Sequence, residues 1–356
     1  MDDPNLALPS DPSVDESYTK SSRPGRPRSS SSGGANARGR GGAEAGDRSA
    51  GAAQPEPSRA APGAPASPSL TSDAWYRRQL ARRLGGVVTC LVLTALIAHL
   101  ALATAPGQVV DTILMEGTMR SARHYEGFSM LITGLVSVPV MVIAGAAVAL
   151  VAAARRRPTL AGRALGAVIG ANITTQILKD YILTRPNLGV TTGAGNSLPS
   201  GHTTVAVTIS LALVVVAPKL SRSPSAWLGW AWTALMGVSV MMEGWHRPAD
   251  VITAVLIAGA WALALSPIER RSRHGVHVQR IMAWISLGLL ALALVATVAG
   301  LWGFSMSAAS PGSGYGFEDF LQIRPWRSLV LGVAAVAWVS AVCGLVMHEV
   351  DRLAGE

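Results

Sequence analysis

The chain has 356 residues, of which 49% are hydrophobic and only 14% charged, and its formal net charge is +9. So low a charged fraction, against the quarter or so usual in soluble domains, excludes an ordinary water-soluble globule and points to burial in lipid. Of the 30 cationic side chains only Lys20, Lys179 and Lys219 are lysines, and much of the positive charge lies beside apolar segments. That placement fits membrane topology and an anionic lipid surface, and no nucleic-acid partner is expected.

In chain order, residues 1–75 are rich in Ser, Gly, Pro, Ala and Arg and hold no apolar cluster, so a disordered tail is expected there. No apolar run falls in the first 30 residues, so no cleavable signal peptide is expected and the first span would serve as an uncleaved anchor. Eight apolar segments are long enough to cross a bilayer: near 84–105, 129–153, 160–178, 201–217, 226–245, 249–267, 281–303 and 328–347. Cys90 and Cys343 each fall inside one of these runs and read as small hydrophobes, not as a disulfide or metal pair.

Positive charge fixes the expected direction. Arg77, Arg78, Arg82 and Arg83 precede the first span, and Arg155, Arg156, Arg157 and Arg163 separate the second from the third. Lys219 and Arg222 precede the fifth, and Arg270, Arg271, Arg273 and Arg280 precede the seventh. The alternate loops carry fewer cations, so both termini are expected in the cytoplasm of a multi-pass plasma-membrane protein.

Three polar clusters then fall on the opposite, outer side. Lys179 and Arg185, the latter followed by Pro186, end the third span and could clamp a phosphate between two cations. Pro199-Ser200-Gly201-His202 opens the fourth. There Ser200 would cap the helix, Gly201 would let a ligand approach bare backbone, and His202 could exchange a proton near neutral pH. His246-Arg247-Pro248-Ala249-Asp250 joins the fifth and sixth. With Pro248 at the first helical position, Asp250 lies in the first turn, where it can orient His246 and free its other nitrogen for nucleophilic attack. Together these groups are what phosphoryl transfer through a phosphohistidine requires. No Asp/Glu cluster accompanies them, so neither a metal nor another cofactor is expected.

The ordered series Lys…Arg-Pro, Pro-Ser-Gly-His and His-x-x-x-Asp resembles the phosphatidic acid phosphatase type 2 superfamily of membrane phosphatases. The resemblance covers roughly residues 84–267 and implies an all-α integral membrane fold: a six-helix phosphatase core over 76–267, with two further C-terminal transmembrane helices over 268–356. By the same resemblance His246 would be the nucleophile, Asp250 its partner and His202 the general acid. Lys179, Arg185, Ser200 and Gly201 would bind phosphate. The implied activity is metal-independent hydrolysis of a lipid phosphomonoester or diphosphate such as polyprenyl diphosphate, phosphatidic acid or phosphatidylglycerol phosphate. A lipid phosphotransferase and a non-catalytic lipid-phosphate binder or transport component are the alternatives.

Two departures stand out. Lys179 and Arg185 are one residue closer than the family's spacing, and Val240 occupies the place of the third motif's phosphate-binding arginine. Arg247 is the substitute at hand, and Val240→Arg is the change that would restore the pattern. Asn172, Thr174, Thr175 and Gln176 place polar groups in the third span, where they are expected to face the bundle interior. The last two spans read as extra membrane mass.

Overall fold

The computed structural model describes residues 68–121, 126–135, 158–190, 195–268, 276–305 and 317–353, with short stretches between 143 and 156. Among them the regular structure is helical. The elements are α1 (Pro68–Ala103), α2 (Ala105–Ser121), α3 (Glu126–Gly134) and α4 (Pro158–Ile177), which runs into one π turn, Leu178–Ile182. Then follow α5 (Gly201–Val216), α6 (Lys219–Met242), α7 (Pro248–Leu265), α8 (Val276–Gly300), α9 (Glu318–Ile323) and α10 (Trp326–Leu353). The tail expected over 1–75 lies outside the described residues up to 67, and helix already begins at Pro68.

The apolar segments found in the sequence coincide with helix over most of their described residues, but not every helix has spanning character. Among the described residues four helices are long and apolar enough to cross a membrane: those over Asp73–Ala103, Pro248–Leu265, His277–Gly300 and Trp326–Leu353. α5, at 16 residues, is about 24 Å long, somewhat less than a hydrocarbon core of about 30 Å. α4 and α6 carry more polar and small residues, and most of 129–153 lies outside the described residues.

Burial sorts the four long helices. In α1 and α8 only 28% and 22% of the most apolar window is buried, whereas α7 and α10 reach 83% and 56%. α1 and α8 therefore leave apolar flanks (Leu91, Val92, Leu96; Trp284, Val295, Val298) exposed on the outside of the bundle, while α7 and α10 form the interior. α10 is no peripheral addition. It packs against α2, α6, α7 and α8, at crossings that small residues permit. A Cβ on Gly237 of α6 would lie 2.9 Å from Val339, one on Gly259 of α7 would lie 2.7 Å from Val346, and one on Gly300 of α8 would lie 2.6 Å from Leu331.

α2 lies between the apolar segments at 84–105 and 129–153, where the sequence shows no spanning run. Its residues from Gln108 to Thr118 are almost all buried, and it crosses α10 with backbone nearly touching backbone. A Cβ on Gly117 would meet Leu331 Cβ at 2.8 Å and the Gly332 nitrogen at 3.0 Å, and Ser121 Oγ donates to the Ser328 carbonyl at 2.9 Å. The polar face of α4 behaves largely as expected. Asn172 donates to Thr208 at 3.4 Å, Thr174 accepts from the Trp261 indole at 3.1 Å and Thr175 pairs with Thr204 at 3.0 Å, but Gln176 is exposed.

Candidate active site

The three polar clusters converge at one end of the bundle, each held by the way its helix begins or ends. α4 loosens into the π turn, where the Leu183 N–H returns to the Leu178 carbonyl at 2.8 Å, and the chain leaves extended before Pro186. Asn196 gathers the following loop. Its amide donates to the carbonyls of Lys179, Leu183 and Leu198 at 3.2, 3.0 and 3.0 Å, and its Oδ1 accepts the Leu198 N–H at 3.1 Å. Lys179 and Arg185 are thus tied to the segment that leads into α5.

Ser200 caps α5, its buried Oγ accepting the Thr203 N–H at 3.3 Å, while its own N–H donates to the Asp250 carbonyl at 3.0 Å. Its hydroxyl is therefore engaged in the cap, and the group left to offer a ligand is the backbone that follows. A Cβ on Gly201 would meet only Gln176 Nε2, at 3.7 Å, so there is room beside the backbone at this helix start, where the first N–H groups have no intrahelical acceptor. His202 packs on Trp245 with ring centroids 5.6 Å apart, and the positive neighbours acting on it are His246 and Lys179.

The turn between α6 and α7 is shaped by Val240 and Gly244. The Val240 carbonyl accepts the N–H groups of Trp245 and His246 at 3.1 and 3.2 Å, and Gly244 takes φ +70, the left-handed conformation that glycine adopts without penalty. Pro248 then opens α7 with Arg247 as N-cap. Asp250, fully buried, collects three donors on Oδ2: the Ser197 hydroxyl at 2.7 Å, the Arg247 N–H at 2.9 Å and His246 Nδ1 at 3.2 Å. An ionised Asp250 fixes the His246 tautomer with the proton on Nδ1, which leaves Nε2 with its lone pair.

Arg247, only 4% exposed, reaches back across the site. Its Nε donates to Thr112 Oγ1 at 3.3 Å and its Nη1 to Ser197 Oγ at 3.2 Å, while Arg185 Nη2 reaches the same Thr112 hydroxyl at 3.5 Å. Beside them Asp111 Oδ1 accepts the Ala249 N–H at 2.9 Å, so that two carboxylates serve the first turn of α7. Burial foremost, and then the charge of Asp250, pushes the Asp111 carboxyl up to about 7. Burial, and then the nearby Arg247 charge, lowers the Arg185 guanidinium from its ordinary value.

Asp111, Thr112, Ser197, Asn196 and Trp245 were not singled out from the sequence, and Asp111 adds a second carboxylate beside Asp250 at the start of α7. The signal available was a pair of acids, Asp111 and Glu116, in an otherwise apolar run. Val240, by contrast, is fully buried in the hydrophobic core. Arg247 and Arg185 are the two guanidiniums that meet at Thr112.

An apolar cavity of about 810 Å³ lies beside the site between α1, the end of α4 and α7. Val87, Leu91, His99, Leu178 and Trp261 line it, and it reaches Leu183 and Thr184, next to Arg185. Neither His202 nor His246 forms its wall.

Residues 160–274 match the family described as the PAP2 superfamily. The matched segment holds the Lys179–Arg185, Ser200–His202 and His246–Asp250 clusters, whereas α2 and α10 fall outside it. No curated protein and no solved structure matches the chain.

Proposed function

We propose, from the match of residues 160–274 to the PAP2 superfamily, that this chain is a membrane phosphatase that hydrolyses a lipid phosphomonoester or diphosphate at the non-cytoplasmic membrane surface. The family match supports a phosphoric ester hydrolase. The observation that carries the finer reading is the pairing of His246 Nδ1 with a buried Asp250, beside Arg247 and within electrostatic reach of His202.

In the first step His246 Nε2 attacks phosphorus, a P–N bond forms, and the P–O bond to the alcohol or lower phosphate breaks. Asp250 stabilises the imidazolium that results. His202 delivers a proton to the departing oxygen, and Arg185, Arg247, Lys179 and the α5 N-terminus neutralise charge on the phosphoryl oxygens. In the second step His202 takes a proton from water, water attacks phosphorus, and the P–N bond breaks to release phosphate and free His246. The apolar cavity beside Arg185 suits the hydrocarbon part of the substrate, which supports a lipid over a soluble ester.

In this reading α1, the 129–153 segment, α4 to α8 and α10 cross the bilayer, with both termini in the cytoplasm of a plasma-membrane protein. Phosphate release by purified protein, assayed against polyprenyl diphosphate, phosphatidic acid and phosphatidylglycerol phosphate with and without chelator, tests it. Turnover of at least one lipid is expected, unaffected by chelation; inactivity on all three contradicts the reading.

A further inference from the structure

We infer that Asp111 and Thr112 of α2 are positioning residues of the phosphate site: Thr112 gives the two guanidiniums a shared anchor, and Asp111 is a buried carboxyl beside them that takes up a proton as an anion binds. The turnover part of this inference rests on the phosphatase reading; the anion-binding part does not.

The anchor is geometric. Thr112 Oγ1 offers two lone pairs and receives Arg247 Nε at 3.3 Å and Arg185 Nη2 at 3.5 Å, so one hydroxyl sets the distance between two like charges from different parts of the chain. Without it, their mutual repulsion would drive the guanidiniums apart. Asp111 is held equally firmly. Its Oδ1 accepts the Ala249 N–H at 2.9 Å, its Oδ2 is buried with no hydrogen-bond partner, and α2 itself is pinned to α10 through Gly117 and Gly332.

The charged groups facing Asp111 are Asp250 on α7, Arg247 in the turn before it and Arg185 in the loop after α4. With both carboxylates ionised, these four side chains sum to zero and hold little attraction for a dianion. With Asp111 neutral they sum to +1, and Lys179 adds to that. Burial, the neighbouring Asp250 charge and an Oδ2 with no hydrogen-bond partner all favour the neutral carboxyl of Asp111, and an arriving anion favours it further. Binding of the anion then stabilises the protonated carboxyl, and by linkage a rise in pH that ionises Asp111 weakens the anion.

The test uses the full-length protein and sulfate, whose two charges do not titrate in this range, with affinity measured by calorimetry between about pH 5.5 and 8.5. Wild-type affinity should fall with pH more steeply than that of Asp111→Asn, which keeps an acceptor for the Ala249 N–H. The ratio should change by up to about tenfold per pH unit above 7. Asp111→Ser replaces the amide variant if the latter does not fold. Thr112→Val should lower both sulfate affinity and kcat/KM on the order of tenfold, and Thr112→Ser should restore them. Parallel pH curves for wild type and the Asp111 variant overturn the proton linkage, and a Thr112→Val protein equal to wild type overturns the anchor. A wild type that binds no sulfate overturns both. Proton-linked sulfate binding without phosphate release would remove the phosphatase reading alone.

Discussion

Arg247 Nε donates to Thr112 Oγ1 at 3.3 Å across 135 positions of sequence. This bond commits the guanidinium to the interior of the site, where Ser197 and Asp250 also converge, and away from the lipid head groups. If Arg247 carries the charge that the family places at the position of Val240, Arg247→Ala should cost about 2–4 kcal/mol in the transition state. That corresponds to roughly 30- to 1,000-fold in kcat/KM. Arg247→Lys should recover only part of this, because an ammonium cannot serve Thr112 and Ser197 in the fixed geometry of a guanidinium. A loss below about threefold in Arg247→Ala would assign the charge elsewhere.

Val240→Arg, which the sequence pattern alone suggests as a restoration, is expected to fail. Val240 is fully buried, and its carbonyl carries the turn that presents His246. A cation forced into this packed core would lack a partner and should lower stability by several kcal/mol. Thermal unfolding in detergent together with activity checks this: lower Tm and no rescue of Arg247→Ala is the expected pair, and a stable, rescued double variant would contradict it.

Gly117→Val should damage activity although Gly117 bonds to no site residue. A Cβ there meets Leu331 and the backbone of Gly332 at 2.8 and 3.0 Å, so α2 must move off α10. Overpacking of this kind costs about 1–3 kcal/mol, and the displacement carries Thr112 away from both arginines. Comparison of kcat/KM with Tm separates the effects: activity should fall at temperatures where the variant is still folded. An active variant with only a lowered Tm would mean that α2 does not position the site.

Orientation is open to chemical labelling. Leu188 lies in the exposed loop after α4 at the site end, and Leu220, 82% exposed, begins α6 at the other end. With both native cysteines buried, Leu188→Cys should react with an impermeant thiol reagent on intact cells and Leu220→Cys only after permeabilisation. The reversed pattern would put the site in the cytoplasm.

The polar clusters of the candidate site were more legible in the sequence than the architecture around them. Ser200-Gly201-His202 and His246-Arg247-Pro248-Ala249-Asp250 are local signals, because capping, proline at the first helical position and a carboxylate one turn on act within a few residues. The apolar runs could likewise be read from composition. α2 could not: Gln108, Asp111, Thr112 and Glu116 dilute its hydrophobicity, and its burial comes from crossing α10 at Gly117 and Gly332, a pairing that no local period reveals. The central position of α10 was hidden for the same reason, since small residues that let helices approach look unremarkable until the partner helix is known. Val240 shows the limit of motif spacing, for its environment is set by the tight turn at Gly244 and by the core behind it.

The most direct measurement is to quench turnover of a lipid phosphate labelled in its terminal phosphoryl group and ask which residue holds the label. Asp250 orients His246 through Nδ1, so the label should appear on a histidine, acid-labile and stable in base, and map to His246. It should be absent from His246→Ala and should accumulate where the second step, which needs His202 to activate water, is slow. Label on Ser200, or on histidine in a protein lacking His246, would contradict the account.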